Sequence, residues 1–375
     1  MRLVAVLVCL CLTACASPSE EVSPEVAQEP QPASMLTDPA ADTDGVVRVL
    51  VYHDMEGLTG QDDPRTFDFG TGEYYEHGRQ MLVADVNAVV AGLFDGGADE
   101  VHIVDGHGSG NPEPDLDLAQ LDPRATMIFR EQAFDAYSEL PEPGIYDAVA
   151  VVGMHAKTGS GGFASHTYTL GMDILLGGRS VTETEVIAYS WGRVDVPVIF
   201  ASGDDRLAED LAAMPWLEYM TVKIATGADS AQLLPVDDVH SQMRQAAQRA
   251  VENRTQARVM KLTMPTLAGL RAVPPARLDH LEGVPGIQYA DNTVTFEADD
   301  FMAAYHGIEA LVGVAQRGYW RLYNEVLRQH PDGDEIQGLI REAVDQRWFD
   351  VESDRWSPPE PEAETPEEKR YFGYT

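Results

Sequence analysis

Within residues 46–201 the chain returns five times to a short, almost unbroken run of apolar, β-prone residues, at 46–52, 101–104, 125–129, 148–152 and 196–201. Half-exposed strands alternate apolar with polar side chains. Runs without that alternation belong to strands covered on both faces, as in a largely parallel sheet with helices on either side. The stretch between the first two runs carries the matching helical pattern, with Leu82, Val83, Val86, Val89, Val90 and Leu93 at helix spacing over 78–94. The sequence therefore predicts an α/β fold built on a largely parallel sheet flanked by helices. A hairpin is expected within 167–181, turning at Gly177-Gly178. Further on, a helix at 237–253, strands at 259–264 and 293–296 and a helix at 300–316 suggest a smaller α+β subdomain covering the first part. With 44% hydrophobic residues in a chain of 375, there is enough apolar material for such a core.

The two ends read differently. One long apolar stretch occurs, residues 3–14 after a single arginine, which is the pattern of a secretory signal and too short to span a bilayer. It ends in Leu12-Thr13-Ala14-Cys15, which resembles a bacterial lipobox, so cleavage before Cys15 and lipid attachment to it are expected. No Asp follows Cys15, which in Gram-negative lipoproteins favours the periplasmic face of the outer membrane. Cys9, Cys11 and Cys15 are the three cysteines of the chain. The mature protein accordingly has no thiol other than Cys15, which excludes thiolate zinc sites and cysteine hydrolases.

Acids outnumber bases by 62 to 26, a formal net charge of −36, and this excludes a nucleic-acid binder that neutralises phosphates with clustered Lys and Arg. Residues 17–45 hold seven acids and no base, and 350–375 hold eight acids against three bases. Both segments are proline-rich and read as extended chain. The expected organisation is a signal at 1–14, a tether at 15–45, a main domain at 46–317 (an α/β part to 215, a covering subdomain from 216), a helical extension at 318–349 and a tail at 350–375.

The chemistry gathers where the apolar runs stop. The first ends in His53-Asp54-Met55-Glu56-Gly57, the second in Asp105-Gly106-His107, and the fourth in Gly153-Met154-His155. Strand ends on one edge of an α/β sheet share one crevice, so two carboxylates and two histidines are expected to meet there. Alone, Asp54 and Glu56 are two acids in an acidic protein; together with His107 and His155 they form a candidate metal site. Ser165-His166 adds another histidine, and Glu183 and Glu185 open a predicted helix. For Glu185 the helix dipole is sufficient reason. Asp54, Glu56, His107, His155 and Glu183 make five N/O ligands, one more than a tetrahedral zinc takes, which fits two divalent ions sharing a carboxylate. Such a pair points to amide or ester hydrolysis, with His166 left over to move protons. Manganese or cobalt would accept the same donors. Lys223 is a candidate for a substrate carboxylate or oxyanion, or a surface lysine. Asp204 and Asp205 are read as helix caps or cleft walls, and Trp216, Trp320 and Trp348 as packing residues.

With these stretches, and with Tyr75-Glu76-His77-Gly78-Arg79, Val181-Thr182-Glu183 and Gly203-Asp204-Asp205-Arg206, the sequence resembles the zinc-dependent D-aminopeptidases of the DppA type, peptidase family M55, over about residues 48–315. The resemblance implies two zinc ions bridged by Asp54, with Glu56, His107, His155 and Glu183 completing their coordination and His166 as the catalytic histidine. It implies release of N-terminal D-residues from short peptides such as D-Ala-D-Ala, and a ring-shaped homodecamer. The lipobox, the tether and the segment after Gly318 depart from the family, as does Glu185, a carboxylate two positions from Glu183. The expected activity is a metallo-aminopeptidase at the cell envelope. The rival readings are a lipid-anchored protein that binds peptides without cleaving them, and a related envelope amidase.

Overall fold

Apolar runs that can be covered on both faces pair side by side at the centre of the molecule. The computed structural model describes residues 34–353 and 355 apart from 41–43 and 109. In chain order it has β1 (Ser34–Thr37), β2 (Arg48–His53), α1 (Glu73–Asp95), β3 (Glu100–Asp105), β4 (Thr126–Met127), α2 (Ala136–Glu139) and β5 (Ala148–Val152). The hairpin of β6 (Met172–Leu176) and β7 (Arg179–Ser180) leads into α3 (Glu183–Gly192), β8 (Val198–Asp204), α4 (Asp205–Asp210), β9 (Glu218–Gly227), β10 (Ser230–Leu233) and α5 (Val236–Glu252). Then come β11 (Val259–Leu262), β12 (Thr266–Ala272), β13 (Gln288–Ala290), β14 (Thr293–Ala298), α6 (Phe301–Ala315), α7 (Tyr319–Gln329) and α8 (Gly333–Glu352).

Seven strands form the main sheet in the order β10-β9-β8-β5-β2-β3-β4, parallel except for β10 at the edge. Successive side chains of β2 go to opposite faces. Val49 and Val51 join Leu82, Val86 and Val90 of α1 and Met243 and Ala247 of α5, whereas Leu50 and Tyr52 join Ile187 and Trp191 of α3. Both destinations are apolar, which is why the run shows no alternation. The fourth apolar run, β5, is buried at every residue. The third shrinks to the two residues of β4, an edge strand paired only at His102 and Ile103.

A second sheet, β13-β14-β12-β6-β7, is antiparallel throughout and carries α6 against β12. The predicted hairpin is present, and Gly177 and Gly178 both have positive φ, 62° and 72°, as a two-residue turn of this hand requires. The two sheets do not divide the chain at residue 215. β9, β10 and α5 follow that point yet belong with the main sheet, whereas β6 and β7 precede it and pair with β12, because the hairpin inserts between two strands of the parallel series. Part of the expected tether is also structured: Ser34–Thr37 lies antiparallel to β11. The helical extension is present as α7 and α8, and Tyr319 at its start donates a hydrogen bond to the Leu170 carbonyl, 2.6 Å. Trp320 is not a packing residue. It is 68% exposed, on a helix that buries none of its side chains. Among the described residues no helix is long and apolar enough to cross a membrane. Cys15 and the tail beyond residue 355 lie outside the described residues.

Candidate metal centre

The adjacent strands β5, β2 and β3 stop level with one another, His53 standing beside Asp105 on one side and Val152 on the other. The loops that leave them are therefore side by side. Asp54 N–H donates to the Val152 carbonyl and Gly57 N–H to the Gly153 carbonyl, at 2.8 and 2.7 Å. Gly57 permits this approach, since a Cβ there would lie 1.8 Å from the Met154 carbonyl oxygen. The residues expected at three strand ends thus meet in one place, and Glu183 reaches them from the first turn of α3, which Thr182 caps.

The side chains face one another at distances longer than hydrogen bonds. His155 Nε2 is 3.5 Å from Asp54 Oδ2 and 3.4 Å from Glu183 Oε1, His107 Nε2 is 3.6 Å from Glu56 Oε1, and His166 Nε2 is 3.8 Å from Glu183 Oε1. The rings of His155 and His166 stack 3.9 Å apart. All of these groups are buried except His166, which keeps a small exposed edge. Each histidine has its other nitrogen engaged. Nδ1 of His107 is against Asp115, Nδ1 of His155 against the Ala156 carbonyl and Nδ1 of His166 against the Ala164 carbonyl. An acceptor at Nδ1 fixes the proton there, so in the neutral rings the Nε2 lone pairs point at carboxylates.

Lone pairs aimed at anions need a cation between them. His155 Nε2 is buried and makes no hydrogen bond. Two donor atoms on one tetrahedral metal with bonds of about 2.0–2.1 Å stand about 3.3–3.4 Å apart, close to the separations around His155. The donor atoms of Asp54, Glu56 and His155, and those of His155, His166 and Glu183, form two clusters of metal-site dimensions that share His155. The residues fit divalent ions.

The proton equilibria record the same crowding. Burial raises Asp54 well above the usual carboxylate range, with Glu56 adding to it, and burial pushes Glu56 up to about 7. Burial opposes charge on His155, but Glu183 and Asp54 outweigh it and hold the imidazole at about 9. Burial would also raise Glu183, yet His155 and His166 keep it well below the ordinary range. His166 goes the other way, lowered to about 4 by burial and by His155.

Several supporting residues were not legible in the sequence. Asp115, fully buried, accepts from the Tyr75 hydroxyl and from its own backbone's contact with Asp105 gains a fixed position, 2.7 Å from N–H to carboxylate. Arg79 donates to the Asp115 carbonyl, 2.6 Å, so the Tyr75-to-Arg79 motif serves to hold the carboxylate that orients His107. The only local signal is an aspartate eight positions after a strand-end histidine. Tyr137 donates to Glu183 Oε2, 2.7 Å, and the Tyr168 N–H to Oε1, 2.6 Å. Ala164 and Tyr168, two residues to either side of His166, have positive φ of 53° and 75°, a strained path for residues with a Cβ. Glu185 does not compete for the site: it closes a capping box with Thr182 and pairs with Arg179 at 2.6 Å. Asp204 caps α4 through Leu207 N–H and also accepts from Phe163 N–H, both 2.8 Å. Lys223 is not on the surface; it is fully buried beneath the Glu56 loop.

Comparison with known proteins places the chain in a family. The family model for peptidase M55, D-aminopeptidase, matches residues 47–310. A D-aminopeptidase of Bacillus subtilis (strain 168) is 26% identical over 278 residues, covering 72% of this chain and 98% of the relative. Among solved structures, the Zn-dependent D-aminopeptidase DppA from Bacillus subtilis, described as a self-compartmentalizing protease, shares the fold with a TM-score of 0.64 at 23% identity, covering 72% of this chain and 98% of its own. The matched span runs from β2, which Asp54 follows, into α6 and includes every side chain of the cluster. The chain belongs to peptidase family M55, the D-aminopeptidases.

Proposed function

We propose that this protein is a zinc aminopeptidase that hydrolyses the N-terminal peptide bond of short D-residue peptides, of the D-Ala-D-Ala type. The observation that carries the proposal is the convergence of three histidine Nε2 atoms on Asp54, Glu56 and Glu183, with each Nδ1 tied to an acceptor elsewhere. Family membership and the zinc dependence of the Bacillus subtilis enzyme support it. Asp54, Glu56, His107, His155 and Glu183 would hold two divalent ions. When bound, such a pair polarises a scissile carbonyl and makes water acidic enough to react near neutral pH.

The chain's own groups do the rest. Tyr137 and the Tyr168 N–H fix both oxygens of Glu183, and Asp115 fixes the ring of His107. His166, lowered to about 4 by burial and by His155, is neutral at neutral pH. Its Nε2 takes a proton during attack and returns it to the leaving amine. The self-compartmentalizing relative supports a homo-oligomer. The lipobox residues 12–15 support a lipid anchor on Cys15 and residence at the periplasmic face of the outer membrane.

The test uses protein expressed without the signal and with Cys15→Ala, loaded with zinc and assayed on D-Ala-D-Ala and L-Ala-L-Ala. Two metals per chain and preferential cleavage of the D-dipeptide are expected, and His166→Ala should keep both metals while losing about 10²- to 10⁴-fold in kcat. Less than one metal per chain with no hydrolysis overturns the proposal. Metal and peptide binding without cleavage would favour the peptide-binding reading instead.

A further inference from the structure

Among the described residues, Lys223 is the one lysine or arginine with no exposed surface. It projects from the buried face of β9, and its Nζ donates to the Glu56 carbonyl, 3.0 Å, and to Gln61 Oε1, 2.7 Å, while standing 3.8 Å over the centre of the Phe163 ring. Gln61 is itself buried and spends its remaining capacity on the same loop. Its Nε2 donates to the Met55 carbonyl at 2.6 Å and to Thr66 Oγ1 at 2.9 Å, and its Oε1 also accepts from Leu58 N–H at 3.1 Å. Lys223 and Gln61 together therefore engage the backbone at residues 55, 56 and 58, around the two carboxylates Asp54 and Glu56.

Phe163 belongs to the other loop of the site. Its N–H is held by Asp204 and the next residue, Ala164, donates to the Ala228 carbonyl and accepts from His166 Nδ1. The Lys223 Nζ thus touches both the loop that presents Asp54 and Glu56 and the loop that presents His166. Its two hydrogen-bond acceptors are amide oxygens, which leaves the Glu56 carboxylate to face His107. A buried amine, charged or neutral, is costly compared with an apolar side chain of the same volume, and packing alone gives no reason for one.

We infer that Lys223 is a positioning residue that, with Gln61, holds Glu56 in place and sets the 163–166 loop against it. The inference rests on the metal-site reading above. It replaces the expectation that Lys223 binds a substrate carboxylate, which a side chain with no exposed surface does not meet.

The test measures zinc affinity by competition with a chromophoric chelator, together with kcat, KM and far-UV circular dichroism, for the full mature chain and its Lys223→Met, Gln61→Leu and double variants. Wild-type chain that neither binds zinc nor cleaves D-Ala-D-Ala overturns the metal-site reading and this inference with it. Given an active wild type, Lys223→Met is expected to keep its secondary structure, to bind zinc about 10- to 100-fold more weakly, and at saturating zinc to lose kcat with KM changed less than about twofold. Because both residues act through one contact, the double variant should be little worse than Lys223→Met alone. Wild-type zinc affinity and kcat in folded Lys223→Met overturn the inference, and so does a raised KM at unchanged kcat, which is the mark of a substrate-binding group. If Lys223→Met does not fold, Gln61→Leu decides: a weakened zinc affinity upholds the inference and an unchanged one overturns it.

Discussion

While no cation is present, His155, held at about 9 by Glu183 and Asp54 against the effect of burial, keeps its proton at neutral pH, and Glu56, pushed up to about 7 by burial, keeps its own about half the time. Metal ligands must be deprotonated, so binding displaces those protons. The sign follows directly. A raised folded-state pKa means that acid favours the metal-free site, and zinc affinity should fall as pH drops through 9 and then 7, about tenfold per unit for each proton displaced. Calorimetric titration with zinc at pH 7 in two buffers of different ionisation enthalpy should register release of at least one proton per chain; a buffer-independent heat would contradict this. Asp115 gives a second prediction. Its carboxylate accepts from His107, so Asp115→Asn should weaken zinc binding about 10- to 100-fold with the fold intact, whereas Tyr75→Phe, which leaves that carboxylate in place, should weaken it less. The metal-type residues were readable because strand ends single them out. Asp115 was not, since Glu113, Asp115 and Asp117 alternate through one loop and only the fold reveals which of them lies beneath the histidine.

The elements that could be read from sequence were those whose burial is uniform or strictly periodic. β2, β3, β5 and β8 were legible as almost unbroken apolar runs, interrupted in β3 by His102, and α1 and α5 through apolar residues at helix spacing. β12 was not, because its sequence TLAGLRA has only two large apolar residues, Leu267 and Leu270, with Ala268 and Gly269 between them and Arg271 after them. Gly269 is there for closeness: a Cβ would lie 2.2 Å from the Val294 carbonyl oxygen of β14. α1 began five residues earlier than its apolar pattern suggested, since its first turn carries Glu73 and Glu76 into solvent. The same closeness sets a test between helices. Gly92 of α1 faces α5, and a Cβ there would meet the Arg244 carbonyl oxygen at 2.1 Å. Glycine in a helix interior costs about 1 kcal/mol relative to alanine, so Gly92→Ala would stabilise an unobstructed helix. Here a backbone atom is in the way and the two helices must part, an overpacking cost of about 1–3 kcal/mol. The expected net result is a lower melting temperature with unchanged kcat at 20 °C. A raised melting temperature would show that α1 and α5 do not approach so closely.

At the scale of the whole molecule the excess of acid remains to be explained. Of the net charge of −36, about a third lies in residues 17–45 and 350–375. Asp54, Glu56 and Glu183 would be compensated by bound cations. Many arginines are already committed to acids close by, as Arg65 is to Asp63, Arg124 to Asp122, Arg249 to Glu218 and Arg258 to Asp38. With 26 bases against 62 acids, most of the remaining carboxylates have no base to pair with. Repulsion of this kind acts over the Debye length, about 30 Å at 0.01 M salt and about 8 Å at 0.15 M, and it opposes the compact state. Added salt should therefore stabilise the zinc-loaded protein. The melting temperature is expected to rise steeply between 0.01 and 0.15 M and to level off by about 0.5 M, where the screening length is shorter than most charge separations. Choline chloride should act as well as sodium chloride if screening is the cause, whereas a response to sodium alone would indicate bound ions. A melting temperature indifferent to both salts would mean that repulsion among the acids does not limit the stability of the folded chain.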